Sequence, residues 1–206
     1  MARILLMNPN SNAATTAAMV RIARTILPDA QGWTAPSGPP MIVDAAALDA
    51  AAELVAGADL PAVRGVIVSA FGDPGQGALA RRLSCPVVGI GGAAAVAAAA
   101  HGAFAVATTT PGLRGRIDAL MSAQEGYLGC FLTEGDPLDL MAEPERLDAA
   151  LRVAAERAVA AGAEAVIIGG GPLGEAAERL SAQVSVPLIS PIRAAAQHLE
   201  NRLTDG

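Results

Sequence analysis

With 206 residues the chain is long enough for one large domain or two small lobes with real cores, so neither disulfides nor a metal is needed to hold it together. It is 52% hydrophobic but only 2% aromatic, which leaves the core to Ala, Val, Leu and Ile, and a net charge of −6 argues against a nucleic-acid or anionic-membrane surface. All fourteen basic residues are arginine, and without lysine there is no Schiff base, no pyridoxal-phosphate aldimine and no phosphate-loop lysine.

The first apolar run, in MARILLMNPNSN, is too short for a signal sequence and ends in a turn, so it is read as a strand over Arg3–Met7. The NPNSN that follows clusters Asn8, Asn10 and Ser11 ahead of a helix over Ala13–Ile26. Such a turn can hold a carboxylate or an imide carbonyl, or serve as an Asx turn in which Ser11 or Asn12 caps the helix. A weaker strand lies near Trp33. The Pro/Gly-rich stretch Pro36–Pro40 is expected to be a plain connection rather than a cover over a site, and a helix over Ala45–Ala56 comes next.

Val66–Gly75, VIVSAFGDPG, runs a buried strand straight into a small-residue turn. Ser69, Ala70 and Phe71 sit at the strand's carboxyl end, and Asp73-Pro74 matches the N-cap and first residue of a helix over Gly75–Leu83. The longest run without Asp, Glu or Arg, Leu83–Leu113, is interrupted by glycines, Pro86, His101 and threonines. It is therefore a strand, an alanine-rich helix over Ala93–Ala100 and another strand, not a membrane span. That last strand ends in ATTTPG, where Thr108 and Thr109 either contact a ligand or cap a helix starting at Pro111.

Further on come a helix over Leu113–Ala123, a strand over Tyr127–Leu132, a loop at Gly135–Pro137 and a helix entered through Pro144. Ala165–Glu175, AVIIGGGPLGE, then repeats the plan of Val66–Gly75, with Gly170 and Gly171 at the strand end and Glu175 in the following turn. GGGPLG matches the dinucleotide fingerprint, but no acidic residue ends the next strand, PLISPIR, and too little chain follows for a nucleotide-binding half. Alternating strands and helices predict an α/β fold with a doubly wound parallel sheet in each of two lobes, residues 1–95 plus 187–206 and residues 96–186. Two strand ends built alike suggest a shared crevice.

Outside these turns little chemistry is on offer. Cys85 and Cys130 stand alone in apolar settings and are read as inert thiols in a reducing cytosol. His101 closes a helix and His198 sits on the last helix among alanines; neither lies at a strand end. No metal site is expected.

Taken in order, NPNSN, SAFGDPG, PVVGIGGAA, FAVATTTPG, EGDP and AEAVIIGGGPLG resemble the aspartate/glutamate/hydantoin racemase superfamily, in particular its hydantoin racemase branch, over nearly the whole chain. The resemblance implies two pseudosymmetric lobes with the active site between them, no cofactor and a homo-oligomer. Backbone N–H groups at the helix starts after Ser11, Asp73 and Pro111, with no lysine available, suit a small-molecule carboxylate or cyclic imide/ureide as ligand, and the two lone thiols suit a cytoplasmic protein. It also implies two cysteines acting from opposite faces of a carbon α to a carbonyl. Those cysteines correspond here to Ala70 and Gly170, and neither side chain can move a proton. An alanine paired with a glycine is read as natural divergence rather than engineering.

The protic residues left near the turns are Ser69, Asp73 and Glu175. Ser69 is expected to point away from Ala70's side of the strand, and the two carboxylates to lie a turn beyond the vacated positions. The expected ligand contacts are Asn8, Asn10, Ser11, Ala70, Phe71, Thr108, Thr109, Gly170 and Gly171. Three readings stay open: a cofactor-independent enzyme of the racemase superfamily with different proton-transfer groups, a decarboxylase or lyase on the same scaffold, and a catalytically silent binding protein.

Overall fold

A computed structural model describes residues 3–205. The first half runs β1 (Arg3–Asn8), α1 (Ala13–Arg24), β2 (Ala30–Thr34), α2 (Ala45–Gly57), β3 (Val63–Val68), α3 (Gln76–Arg82), β4 (Val87–Gly89) and α4 (Ile90–Ala99). The second runs β5 (Phe104–Thr108), α5 (Arg114–Met121), β6 (Tyr127–Leu132), α6 (Pro137–Ala142), α7 (Pro144–Ala160), β7 (Ala165–Ile168), α8 (Gly174–Leu180), β8 (Leu188–Ile189) and α9 (Pro191–Thr204). Short 3-10 turns at Pro111–Leu113 and Gly171–Leu173 precede α5 and α8.

Two four-stranded parallel sheets result, in the orders β2-β1-β3-β4 and β6-β5-β7-β8. The register repeats one hundred residues later: Leu6 lies opposite Ile67 and Val106 opposite Ile167. The two-lobed α/β architecture is thus a duplicated unit. β8 pairs with β7 in the second sheet, and α9 then returns to pack on α4, α1 and β3 of the first.

Helices cover both faces of each sheet, so the central strands are apolar on both sides, as parallel sheets require. Every residue of β5 and β7 is buried, and Ile67 and Ile167 are wholly so. Each such isoleucine contributes about 1.5–3 kcal/mol on removal from water. Among the described residues no helix is long and apolar enough to cross a membrane.

The helix starts differ from the sequence reading in ways that matter for the site. α3 begins at Gln76 with Gly75 as its N-cap in the left-handed region (φ 72°), so Asp73 and Pro74 lie in the preceding turn and Asp73 does not cap α3. α4 begins at Ile90, three residues before the expected start, which places Gly91 and Gly92 in its first turn with free backbone N–H groups. Asp73 (φ 51°) reaches across to those groups instead: Gly91 N and Gly92 N each donate to its carboxylate at 2.7 Å. The segment after β6 also holds an additional short helix, α6, whose N-cap Asp136 accepts from Leu138 N and Asp139 N.

Candidate active site

In parallel sheets the strand carboxyl ends open into the ligand crevice. Here the ends of β1, β3, β5 and β7 enclose a cavity of about 60 Å³. Its walls bring together Asn10 from the turn after β1, Ser69–Phe71 after β3, Thr108–Thr110 after β5 and Gly169–Leu173 after β7. The β3 and β7 turns touch each other. A Cβ built on Gly171 would lie 2.9 Å from Ser69 O, and one on Gly169 would lie 3.1 Å from Phe71 Cε1. Ala70 and Gly170, the positions that the resemblance matches to the family's cysteines, both line this one cavity.

Of the twelve residues proposed from sequence, eight line this cavity: Asn10, Ser69, Ala70, Phe71, Thr108, Thr109, Gly170 and Gly171. Four do not. Asn8 is buried beneath it as scaffold, its Nδ2 donating to Asn10 Oδ1, Asn12 O and Thr16 Oγ1. Ser11 is exposed; its Oγ donates to Gly38 O at 2.9 Å and its N–H to Pro39 O at 3.1 Å. Glu175, in the first turn of α8, pairs with Arg21 at 3.0 Å on the surface.

Asp73 is the fourth, spent on the N-terminus of α4. Burial pushes its carboxyl up to about 6 despite the opposing backbone hydrogen bonds from Gly92 and Gly91. Neither thiol lines the cavity. Burial raises the Cys85 thiol and, with the charge of Asp118, pushes Cys130 up to about 12.

Sequence reasoning missed the opposite wall, made of Met41, Ile42, Leu48, Leu113 and Ile117. Pro36–Pro40 lines no part of the cavity, as expected of a connection, but the two bonds from Ser11 hold it down and Met41 and Ile42, just beyond it, close the cavity. Gly112 makes the fit tight, since a Cβ there would lie 2.6 Å from Val43 O.

The polar groups of the cavity divide sharply. Ser69 Oγ donates to Met7 O at 2.6 Å, and Thr108 Oγ1 donates to Gly169 O at 2.7 Å; both hydroxyls are spent on the scaffold. Thr109 is 1% exposed and its Oγ1 has no hydrogen-bond partner, an arrangement that costs free energy unless something else supplies the bond. Asn10 is similar. Its Oδ1 accepts from Asn12 N and Asn8 Nδ2, which fixes the amide orientation, and its Nδ2 has no partner among the described residues. No lining residue is ionisable. The cavity can bind and polarise an uncharged polar molecule, but its side chains offer no acid or base of suitable strength.

Comparison with known proteins is consistent with this architecture. The sequence model of the Asp/Glu/Hydantoin racemase family matches residues 4–199. A hydantoin racemase of Paenarthrobacter aurescens is 28% identical over 99% of this chain and 92% of its own length, and one of Rhizobium meliloti is 30% identical over 98% and 89%. Among solved structures, an allantoin racemase from Pseudomonas fluorescens superposes with a TM-score of 0.90 at 25% identity, covering 99% of this chain and 92% of that one.

Proposed function

Because the chain belongs to the Asp/Glu/hydantoin racemase family, we propose that it acts, without a cofactor, on a small cyclic ureide or imide held between Ala70 and Gly170, at the carbon α to a carbonyl. The ligand class follows from the walls. The cavity is small, about 60 Å³, which favours a compact ligand. With no cation on the wall, a carboxylate would surrender its hydration without a counter-charge, whereas a ureide presents neutral carbonyl and N–H edges. Asn10 Nδ2 is an unused donor, and Thr109 Oγ1 can donate or accept.

The single observation that carries the reading is the buried, unpartnered Thr109 hydroxyl on this wall. A donor placed on the ligand carbonyl stabilises the charge that develops on its oxygen when the α-proton leaves. With a methyl group at residue 70 and no side chain at residue 170, proton transfer is left to water, and the two-thiol route of the family is not followed.

Isothermal calorimetry tests the proposal. Hydantoin or allantoin is expected to bind at millimolar concentration or below and free glutamate and aspartate are not. Thr109→Val, which keeps the side-chain shape, should weaken ureide binding about tenfold, the worth of one hydrogen bond to a buried group. Its unfolding midpoint should not fall, because an unsatisfied hydroxyl is removed. No heat from any ureide, or equal binding by Thr109→Val, would overturn the assignment.

A further inference from the structure

A second concave site lies one strand outward from the cavity, between the carboxyl end of edge strand β6 and helices α6 and α7. It is a groove of about 510 Å³ with an apolar floor of Leu140, Ala150, Val153 and Ala154. Val153 is 49% exposed there, on the helix face opposite the buried one.

Two polar groups on the rim lack their usual partners. Thr133 Oγ1 is buried and makes no hydrogen bond. Arg157 donates from Nη1 to Leu132 O at 3.2 Å, which steadies its guanidinium over the groove, but it pairs with no carboxylate among the described residues. The remaining charges set a limit on the occupant. Arg146 is already paired with Glu143 at 2.9 Å, and Glu134 stands on the same rim. A ligand with a second negative charge would meet Glu134 without a spare cation.

We propose that this groove binds a small monocarboxylate with a short apolar tail: the carboxylate takes the free guanidinium edge of Arg157 and the Thr133 hydroxyl, and the tail covers Val153 and Leu140. A guanidinium presents several donors in one plane and suits a carboxylate better than any neutral head group. The apolar floor supplies the favourable term that an exposed ion pair alone does not. This site shares no lining residue with the Ala70–Gly170 cavity and does not depend on the function assigned there.

The test uses the full chain and three six-carbon probes: hexanoate, hexanamide and adipate. Amide NMR should show hexanoate saturating shifts confined to residues around 132–134 and 146–157. Calorimetry should show hexanamide and adipate binding at least fivefold more weakly. Arg157→Gln, a change at an exposed position, should lower hexanoate affinity about tenfold while the unfolding midpoint stays near that of the natural protein, and Thr133→Val should lower it by a smaller factor. Equal binding of acid and amide, indifference to Arg157→Gln, shifts confined to residues 69–71 and 108–110, or no saturation at millimolar hexanoate would each overturn the proposal.

Discussion

On the proposed reading a cysteine at residue 170 would supply one of two proton-transfer groups, but the backbone there resists any side chain. Gly170 has φ 139° and ψ 134°, a region that L side chains rarely adopt, and holding a non-glycine residue there costs about 1–3 kcal/mol. The new Cβ would also lie 3.2 Å from both Leu173 Cδ1 and Leu173 Cγ, so Leu173 must give by a few tenths of an ångström. In a protein of this size each kcal/mol shifts Tm by roughly 2–4 °C. Gly170→Cys and Gly170→Ala should therefore both melt roughly 2–12 °C below the natural protein, measured by calorimetry with urea unfolding alongside. The strain belongs to the Cβ and not to the sulfur, so the two variants should agree within error. Adding Leu173→Ala to Gly170→Ala should not restore stability, because the backbone and not the contact dominates. A Gly170→Ala variant as stable as the natural protein would refute this reasoning. Ala70→Cys, by contrast, adds one sulfur at a half-buried position on the cavity wall and should be close to neutral.

Two other perturbations follow from the same geometry. Burial raises Asp73 from 3.8 to about 6. The folded state therefore holds this proton more tightly than the unfolded state, and stability declines as pH rises from about 4 through about 6 and is level above. Asp73→Asn removes that titration, so the natural protein should lose about 1–3 kcal/mol relative to the variant across this window; parallel urea midpoints from pH 4 to 7 would contradict it. Thr108→Val breaks the bond from Thr108 Oγ1 to Gly169 O and leaves a buried carbonyl unpaired. It should cost about 1–3 kcal/mol in chemical unfolding, and a change within error would show that the bond does not clasp the strand ends.

The strands were legible because parallel β/α units leave strong local traces: short apolar runs, each closed by glycine or proline. The same traces located the cavity, since four strand ends in one crevice is a topological consequence of that alternation. What was not legible is which partner a polar side chain takes. Asp73-Pro74 has the local form of a helix N-cap, yet a left-handed Asp73 followed by Gly75 turns the carboxylate toward Gly91 and Gly92, eighteen and nineteen residues away. Asn8 and Asn10 are two residues apart and chemically identical. Only the tertiary positions of Thr16 and Asn12 make one of them scaffold and leave the other with a free donor. Met41 and Ile42 carry no signature of a site residue, because nothing in a proline-rich loop encodes that Ser11 will hold it down.

On the proposed reading the crevice binds a cyclic ureide but has no thiol at residue 70 or 170 to move its α-proton. The direct measurement is α-deuterium exchange of a 5-substituted hydantoin in heavy water, followed by NMR, with this protein and a cysteine-bearing hydantoin racemase at equal concentration. Positioned acid/base groups contribute roughly 10²–10⁴-fold to such a proton transfer, so exchange here should be slower by at least about a hundredfold while calorimetry still registers binding. Exchange at a rate comparable to the cysteine-bearing enzyme would contradict the account, and would require Asp73 or Glu175 to leave the partners it holds in this structure.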